Sequence, residues 1–217
     1  AMSQKSSEMK AQGIDVINMS VGEPDFMTPD HVKEAGKKAI DDNFSKYSPV
    51  PGYPALREAI SKKLKDENNL DYAASEIIVS TGGKQGVCNA VLALVNPGDE
   101  VIIPAPYWVS YPQMVKLAGG VPVIVSAGIE QDFKITAEQL EEAITPKTKM
   151  IILCSPSNPT GSVYSAEELE ALSKVVLAHE DVFVLSDEIY EHISYIGGHS
   201  SIASCSGMKE RTILCNG

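Results

Sequence analysis

Two hydrophobic periods alternate along this chain from about residue 77 onward, and this alternation restricts its fold more than any other feature of the sequence. Short apolar runs typical of β-strands are separated by longer segments in which apolar residues recur at helical spacing. The predicted strands are residues 77–80, 100–103, 121–125, 149–154, 182–186 and 212–215. Strands that alternate with helices favour a mostly parallel sheet with right-handed crossovers. We therefore expect an α/β fold.

Residues that start and stop helices define the segments between these strands. Thr28 with Pro29 is predicted to open a first helix, and Pro54 a second one. Further helices are predicted over residues 84–95, 110–118, 136–144 and 165–178. Two residue pairs have the spacing of a capping box, Thr136 with Gln139 and Ser165 with Glu168.

Charge and cysteine content disfavour several classes of function. The 217-residue chain carries 18 Lys and Arg against 29 Asp and Glu, and its net charge of -11 argues against nucleic acid or an anionic membrane as a partner. No apolar run reaches the roughly 18 to 20 residues that a membrane span requires. The four cysteines lack CxxC spacing, and Cys88 and Cys154 lie in apolar segments, so we expect reduced thiols and no metal site. Reduced thiols indicate the cytoplasm.

Chemically unusual residues occupy the turns that follow four of the predicted strands. These turns are residues 81–85, 104–108, 155–161 and 187–190. The carboxyl ends of parallel strands meet at one edge of a sheet, where open α/β folds bind their ligands. We therefore expect the four turns to form a common site.

The sequence STGGKQ, residues 80–85, contains two glycines that let a strand turn tightly into a helix. The free N–H groups at such a helix start can bind an anion such as a phosphate. The motif is neither a Walker loop nor GxGxxG, so a plain strand-to-helix turn is an equally good interpretation of this motif by itself.

Three further candidates each have an ordinary structural explanation beside the functional one. Trp108, the single tryptophan, could stack on a ligand ring or serve as a core aromatic. Asn158, held extended before Pro159, could aim its amide at a ligand or belong to an ordinary turn. Asp187 follows the predicted strand 182–186, whose residues 182–185 are apolar, and could face a cofactor or complement a helix dipole.

Together these motifs resemble the fold-type I pyridoxal-phosphate enzymes, specifically the class I aminotransferases of the bacterial aspartate aminotransferase subgroup. The matching stretches, in family order and at family spacing, are VGEPDF, KYSPVPGYPALREAI, STGGKQ, PGDEVIIPAPYWVSYP, SPSNPTG and SDEIYEH. The resemblance covers nearly the whole chain and implies the three-layer αβα large domain of that fold. It also implies an N-terminal arm or part of the small domain over residues 1–27, and the cofactor-binding domain over residues 28–217.

The resemblance implies roles for individual residues around the cofactor pyridoxal 5'-phosphate. Asp187 would hold the protonated pyridine nitrogen, and Trp108 would stack on the ring. Asn158 and Tyr190 would bind the phenolic oxygen, with Asn158 also reaching the substrate's α-carboxylate. The other implied contacts are those of Gly83, Lys84 and Gln85 around the phosphate, of Gly22 with the substrate carboxylate, and of Tyr47 with the phosphate of a partner subunit. A homodimer with shared active sites follows from the last contact.

Lys84 also bears on the substrate that the resemblance implies. In this subgroup the corresponding lysine is associated with the distal carboxylate of an acidic amino acid, which favours amino transfer between aspartate and 2-oxoglutarate by a ping-pong mechanism. The residues implied to contact the substrate are Gly22, Lys84, Trp108 and Asn158.

One departure from the family pattern concerns the Schiff-base lysine. In the family this lysine follows a strand that ends in NG, in a pattern like NGFSK, whereas this sequence stops at Asn216 and Gly217. We therefore expect the N-terminal half of a longer enzyme, without the C-terminal small domain. No residue of the chain is assigned a catalytic role, and the chain by itself is expected to be inactive.

Other functions stay open at this point. Within the same fold, prephenate, aromatic or alanine aminotransferases and cystathionine β-lyase-like enzymes use the same motifs. A non-catalytic pyridoxal-binding sensor module would carry a basic DNA-binding domain, which neither the N-terminus nor the net charge supports. A generic nucleotide-binding domain would need a glycine fingerprint after its first strand, and this is missing.

Overall fold

A computed structural model of the chain describes residues 2–17 and 26–217, with side chains from residue 4 onward. The chain forms two compact units, Ala1–Tyr47 and Ser48–Gly217. The first unit contains α1 (Met2–Ala11) and α2 (Asp30–Asp41). The helix predicted from Thr28 and Pro29 is thus present and begins at Asp30. The predicted boundary between residues 27 and 28 stays a prediction.

The second unit is built around a parallel sheet of five strands within the described residues. The strands are β1 (Glu100–Ala105), β2 (Val121–Ser126), β3 (Thr148–Cys154), β4 (Phe183–Asp187) and β5 (Thr212–Cys215). Their order is β2-β1-β3-β4-β5, and every neighbouring pair is parallel. The expected α/β fold with a parallel sheet is confirmed. Because the chain leaves β1 for β2 and then returns past β1 to β3, the order reverses between β1 and β3, which is where such sheets open a crevice for ligands.

Three of the described helices of this unit lie between successive strands in sequence, as the alternating periods predict, and two precede β1. They are α3 (Pro54–Asn68), α4 (Gly83–Leu94), α5 (Tyr111–Leu117), α6 (Ala137–Ala143) and α7 (Ala166–Ala178). Both predicted capping boxes are present: the Gln139 N–H donates to Thr136 Oγ1 at 3.3 Å, and the Glu168 N–H to Ser165 Oγ at 3.2 Å. These bonds satisfy N–H groups that the first turn of a helix would otherwise leave free.

Alternate residues of the central strands pack into two separate cores, one on each face of the sheet. Ile151 and Leu153 of β3 pack into a cluster with residues of α6 and α7. Met150 and Ile152, which point to the other face, pack with residues of α4 and α5. Each fully buried aliphatic side chain of this kind contributes about 1.5–3 kcal/mol of transfer free energy. The three-layer arrangement therefore follows from strands that are apolar on both faces.

The prediction of a strand over residues 77–80 is wrong. The segment is extended, but no strand pairs with it in the described part of the chain. Individual hydrogen bonds hold its backbone instead. The Val79 N–H donates to the Pro51 carbonyl at 3.0 Å, and Arg57 Nε donates to the Ile77 carbonyl at 2.8 Å. A groove of about 690 Å³ lies between this segment and β5. An apolar run of four residues has strand periodicity, but it becomes a strand only where a neighbouring ladder accepts its backbone groups.

No described helix is both long enough and apolar enough to cross a membrane.

Candidate active site

The candidate site begins at the carboxyl end of β4, where Asp187 is the last strand residue. In the parallel ladder Asp187 lies between Cys154 at the end of β3 and Cys215 at the end of β5. Paired residues of neighbouring strands project from the same face of a sheet. The carboxylate is therefore flanked by two thiols, and only 6% of the Asp187 surface is exposed.

Two hydrogen bonds hold the Asp187 carboxylate. The Tyr111 hydroxyl donates to Oδ2 at 2.7 Å, and the Ile189 backbone N–H donates to Oδ1 at 3.3 Å. Burial raises the pKa of Asp187, the two hydrogen bonds act in the opposite direction, and the nearby charge of Glu188 raises it further. The site thus keeps an acid whose charge burial disfavours, and such a group is typical of a functional position.

The two flanking cysteines are neutral thiols over the physiological range. Burial, followed by the charge of Asp187, raises the pKa of Cys154 to about 11. Burial, again followed by Asp187, raises the pKa of Cys215 to about 12. Both thiols therefore stay neutral and add no negative charge beside the Asp187 carboxylate.

An aromatic pair lies next to Asp187 at the start of α5. The Trp108 and Tyr111 rings meet edge to face, with centroids 5.4 Å apart and an interplanar angle of 85°. The ammonium of Lys84 lies 4.9 Å from the centre of the Trp108 ring, a cation–π contact. Burial, then the neighbouring Cys154 and Asp187, raise the pKa of the Tyr111 hydroxyl, so it stays protonated and donates.

The STGGKQ segment forms the tight turn before α4 that its glycines predict. Gly82 precedes the helix with φ +77°, a conformation that L side chains rarely adopt, and the helix begins at Gly83. The Gln85 side chain accepts a hydrogen bond from the Thr81 N–H. Cys215 Sγ lies 3.6 Å from the Gly83 carbonyl oxygen, so this helix start is beside the end of β5. The leading N–H groups of a 12-residue helix carry partial positive charge, which favours an anion.

Asn158 and Tyr190 form a second polar pair at the same sheet edge. Asn158 Nδ2 donates to the Tyr190 hydroxyl at 3.3 Å, across 32 positions of sequence. Asn158 follows β3, and Tyr190 follows β4. The two turns that carry them leave adjacent strands, which brings the pair together.

Most of the predicted site residues gather at this edge. Tyr111 contacts both Trp108 and Asp187, and Lys84 lies near the Trp108 ring. Asn158 pairs with Tyr190. Gly83 and Gln85 lie in the first turn of α4. Tyr47 belongs to the first unit and is fully exposed. Gly22 lies outside the described residues.

Sequence reasoning missed the role of Tyr111 and the buried network around Glu188. Glu188 accepts hydrogen bonds from Ser186 Oγ at 2.8 Å and Ser201 Oγ at 2.6 Å, and His199 Nε2 lies 2.6 Å from its other oxygen. The position of Tyr111 three residues after Trp108 was the available signal, because the two residues belong to one turn, in which the Tyr111 N–H donates to the Trp108 carbonyl at 3.1 Å. Nothing local connects Glu188 with residues 11 and 13 positions later.

Two clusters of carboxylate and imidazole have ligand atoms within 4.8 Å of one another, Glu67–Glu191–His192 and Glu188–Glu191–His199. Glu191 belongs to both, and its carboxylate is already paired with Lys63 and bonded by Asn68 Nδ2 at 2.6 Å. We interpret these clusters as ion-pair networks that join α3 to the segment after β4.

Comparisons with known proteins were consistent with this geometry. The family model described as "Aminotransferase class I and II" matches residues 14–217. A probable aspartate/prephenate aminotransferase of Rickettsia bellii is 54% identical over 219 residues, covering 100% of this chain and 55% of that protein. The aspartate/prephenate aminotransferase of Cereibacter sphaeroides is 52% identical, with 100% and 55% covered.

Among solved structures, the aspartate aminotransferase of Thermus thermophilus with maleate superimposes with a TM-score of 0.95 at 46% identity. That match covers 100% of this chain and 56% of the Thermus chain. The chain therefore spans about half the length of the relatives it matches.

Proposed function

The chain belongs to the class I and II aminotransferase family, and we propose that it forms the cofactor-binding half of an enzyme that transfers an amino group between aspartate and 2-oxoglutarate. Enzymes of this family depend on pyridoxal 5'-phosphate. The activity is that of the whole protein, since the chain spans about half the length of its relatives.

One observation carries this proposal: a buried acid, an indole ring and a helix start converge at the carboxyl edge of the sheet. Tyr111 contacts both Asp187 and Trp108. Lys84 of α4 lies near the Trp108 ring, and Cys215 contacts the start of α4. Pyridoxal phosphate has a basic ring nitrogen, a flat ring and a phosphate, and each of these elements complements one of the three groups. The residues present therefore fit this cofactor.

Each proposed role follows from the chemistry of the side chain. When bound, pyridoxal phosphate supplies an electron sink for chemistry at the substrate's α-carbon. Asp187 would hold a proton on the ring nitrogen, because a buried carboxylate is stabilised by an adjacent cation. Trp108 would cover one ring face, and the paired Asn158 and Tyr190 would offer an N–H and an O–H to the ring's phenolic oxygen.

The proposed phosphate contacts come from the first turn of α4. Gly83, Lys84 and Gln85 lie there, and an anion at this position would meet the N–H groups that point out of the helix start. In the same proposal, Gly22 and Asn158 bind the substrate's α-carboxylate.

A dicarboxylic substrate is proposed because of Lys84. Its ammonium is near the Trp108 ring and is the one cation within the four site turns. An ammonium at this place would pair with a second carboxylate of the substrate. Prephenate is a second candidate acceptor, since it also carries two carboxylates and the matched relatives carry the name aspartate/prephenate aminotransferase.

The proposal includes a homodimer in the cytoplasm. Full exposure of the Tyr47 ring is compatible with a contact to a partner subunit's phosphate site. Four free cysteines are compatible with a reducing compartment.

The proposal is tested with the full-length protein supplied with pyridoxal phosphate. Aspartate and 2-oxoglutarate are expected to yield oxaloacetate and glutamate. A coupled assay of either product measures the reaction. Prephenate with aspartate or glutamate as donor tests the second candidate. Transamination of aromatic or neutral donors without any use of aspartate would contradict the assignment of Lys84 to a distal carboxylate.

A further inference from the structure

Tyr111 is the residue that joins the two halves of the candidate ring site. Its hydroxyl donates to Asp187 Oδ2 at 2.7 Å, and its ring meets the Trp108 indole edge to face at 5.4 Å. Only 2% of its surface is exposed. One rigid, buried side chain therefore contacts both the residue proposed to hold the ring nitrogen and the residue proposed to stack on the ring.

The hydrogen bond from Tyr111 is the shorter of the two that orient the carboxylate. The second, from the Ile189 N–H to Oδ1, is 3.3 Å long, and shorter bonds to a carboxylate are the stronger ones. The two donors also come from different elements. Ile189 follows Asp187 in the same turn, whereas Tyr111 comes from α5 and ties that turn to a separate helix.

No neighbouring side chain could replace the Tyr111 hydroxyl. The groups beside Asp187 on the adjacent strands are the thiols of Cys154 and Cys215, which are weak donors. Glu188 carries a like charge and is engaged by Ser186, Ser201 and His199. Loss of the hydroxyl would leave a buried carboxylate with a single long hydrogen bond.

We propose that Tyr111 is a positioning residue, whose hydroxyl holds the Asp187 carboxylate in one orientation while its ring sets the tilt of the Trp108 indole. Both surfaces that would meet the cofactor ring are then arranged before the cofactor binds, which lowers the cost of ordering them on binding. The contact itself rests on geometry, and its consequence for catalysis rests on the proposed function.

The direction of the pKa shift agrees with this role. Burial raises the pKa of Asp187, and the hydrogen bond from Tyr111 acts in the opposite direction. The other titratable groups that face the carboxylate are Glu188, Cys154 and Cys215. Because the hydroxyl favours the ionised carboxylate, its removal shifts the titration of Asp187 to higher pH.

The first experiment is carboxyl ¹³C NMR of the 217-residue chain, labelled at Asp and Tyr, in wild type and Tyr111→Phe. This substitution keeps the ring against Trp108 and removes only the donor. Tyr164→Phe is the matched control, because Tyr164 is also buried but its hydroxyl bonds the Ile135 N–H. We expect the Asp187 titration to move to higher pH in Tyr111→Phe and to stay in place in Tyr164→Phe.

A second measurement uses only the wild-type chain, so it does not depend on whether a variant folds. In wild type the ring Cζ resonance of Tyr111 is expected to shift with the same midpoint as the Asp187 carboxyl, because one hydrogen bond joins the two groups.

In the full-length enzyme, Tyr111→Phe is expected to lower kcat about tenfold with KM for aspartate changed less than about twofold.

An unchanged Asp187 titration in Tyr111→Phe, an equal shift in Tyr164→Phe, or a Tyr111 resonance that ignores Asp187 would each overturn the inference. Failure of the proposed function has a different signature. In that case the two groups titrate together, but the full-length protein transfers no amino group.

Discussion

The imidazole Nε2 of His199 lies 2.6 Å from Oε2 of Glu188, whose side chain is buried directly behind the candidate site. Two serine hydroxyls donate to the other carboxylate oxygen, from Ser186 and Ser201. This network connects the end of β4 with the segment that precedes β5. It therefore supports the turn that carries Asp187 and Tyr190.

Replacement of Glu188 by Ala is expected to lower the free energy of unfolding by about 3 kcal/mol, because it leaves an imidazole and two hydroxyls without their buried partner. Urea unfolding of the chain measures this. Glu180→Ala is the control, since Glu180 is exposed and its loss should change stability by less than about 0.5 kcal/mol. Equal effects of the two substitutions would show that the network contributes no stability.

Asp187→Asn is expected to raise stability while it lowers activity. The folded-state pKa of Asp187 lies above its unfolded value, so the folded chain holds this proton more tightly. The free energy of unfolding therefore falls as pH rises from about 4, the unfolded value, through the folded pKa. Asn removes this loss, and we expect urea unfolding at pH 7 to give a higher free energy of unfolding for the variant than for wild type.

The activity of the same variant separates a functional role from a structural one. In the full-length enzyme, Asp187→Asn is expected to reduce kcat at least about 100-fold. A decrease in activity that only follows a decrease in folded protein would return Asp187 to the role of a helix-end acid.

Lys63→Met tests the pairing of α3 with Glu191. Burial opposes ionisation of Glu191, but the hydrogen bonds from Lys63 and Asn68 and the charge of Lys63 lower its pKa overall. A lowered pKa contributes stability above the unfolded value of about 4.3 and loses it as pH falls through the folded pKa. We expect Lys63→Met to cost about 3 kcal/mol at pH 7 and to reduce this acid-side dependence.

The neighbouring lysine is the control for that prediction. Lys62 pairs with Asp66 on the exposed face of α3, and such surface pairs contribute about 0.5 kcal/mol or less. Thermal or urea unfolding of Lys62→Met and Lys63→Met at pH 7 and pH 4 makes the comparison. Similar costs for the two variants would contradict a specific contribution of the Glu191 pair.

Gly82→Ala is expected to destabilise the chain by about 1–3 kcal/mol, because a side chain at φ +77° is strained even where space is available. The same strain should displace the first turn of α4 and weaken binding of pyridoxal phosphate. Gly198→Ala is the control, since a Cβ there meets open space without a positive φ. Fluorescence titration with pyridoxal phosphate and urea unfolding measure the two effects. Unchanged binding in Gly82→Ala would argue against a phosphate contact at this helix start.

Much of the architecture could be predicted because it depends on local periodicity. Residues 182–185 are apolar on both faces, which is typical of a strand covered by helices on each side, and β4 is such a strand. The capping boxes at Thr136 and Ser165 depend on residues three positions apart. The gathering of Trp108, Asn158 and Asp187 follows once the strands are parallel, because their carboxyl ends then share one edge. Lys84 follows no strand of the sheet and reaches this edge because the start of α4 lies beside the end of β5.

The unpaired segment 77–80 shows where local periodicity is insufficient. Ile77 packs against Leu64 of α3, whereas 73% of Ile78 is exposed, as alternating residues of a strand would be. Whether the backbone joins a sheet depends on a second segment at hydrogen-bonding distance, and no residue within the run carries that information.

By itself, the sequence determined most of the element types, the parallel sheet and the edge on which the site lies, because hydrophobic period, capping residues and turn residues act over a few positions. Only the tertiary structure decided that Tyr111 bonds Asp187 across 76 positions and that His199 and Ser201 enclose Glu188. These contacts depend on how α5 and the segment before β5 pack on the sheet. A side chain's partner across such a distance is set by packing, which no local pattern encodes.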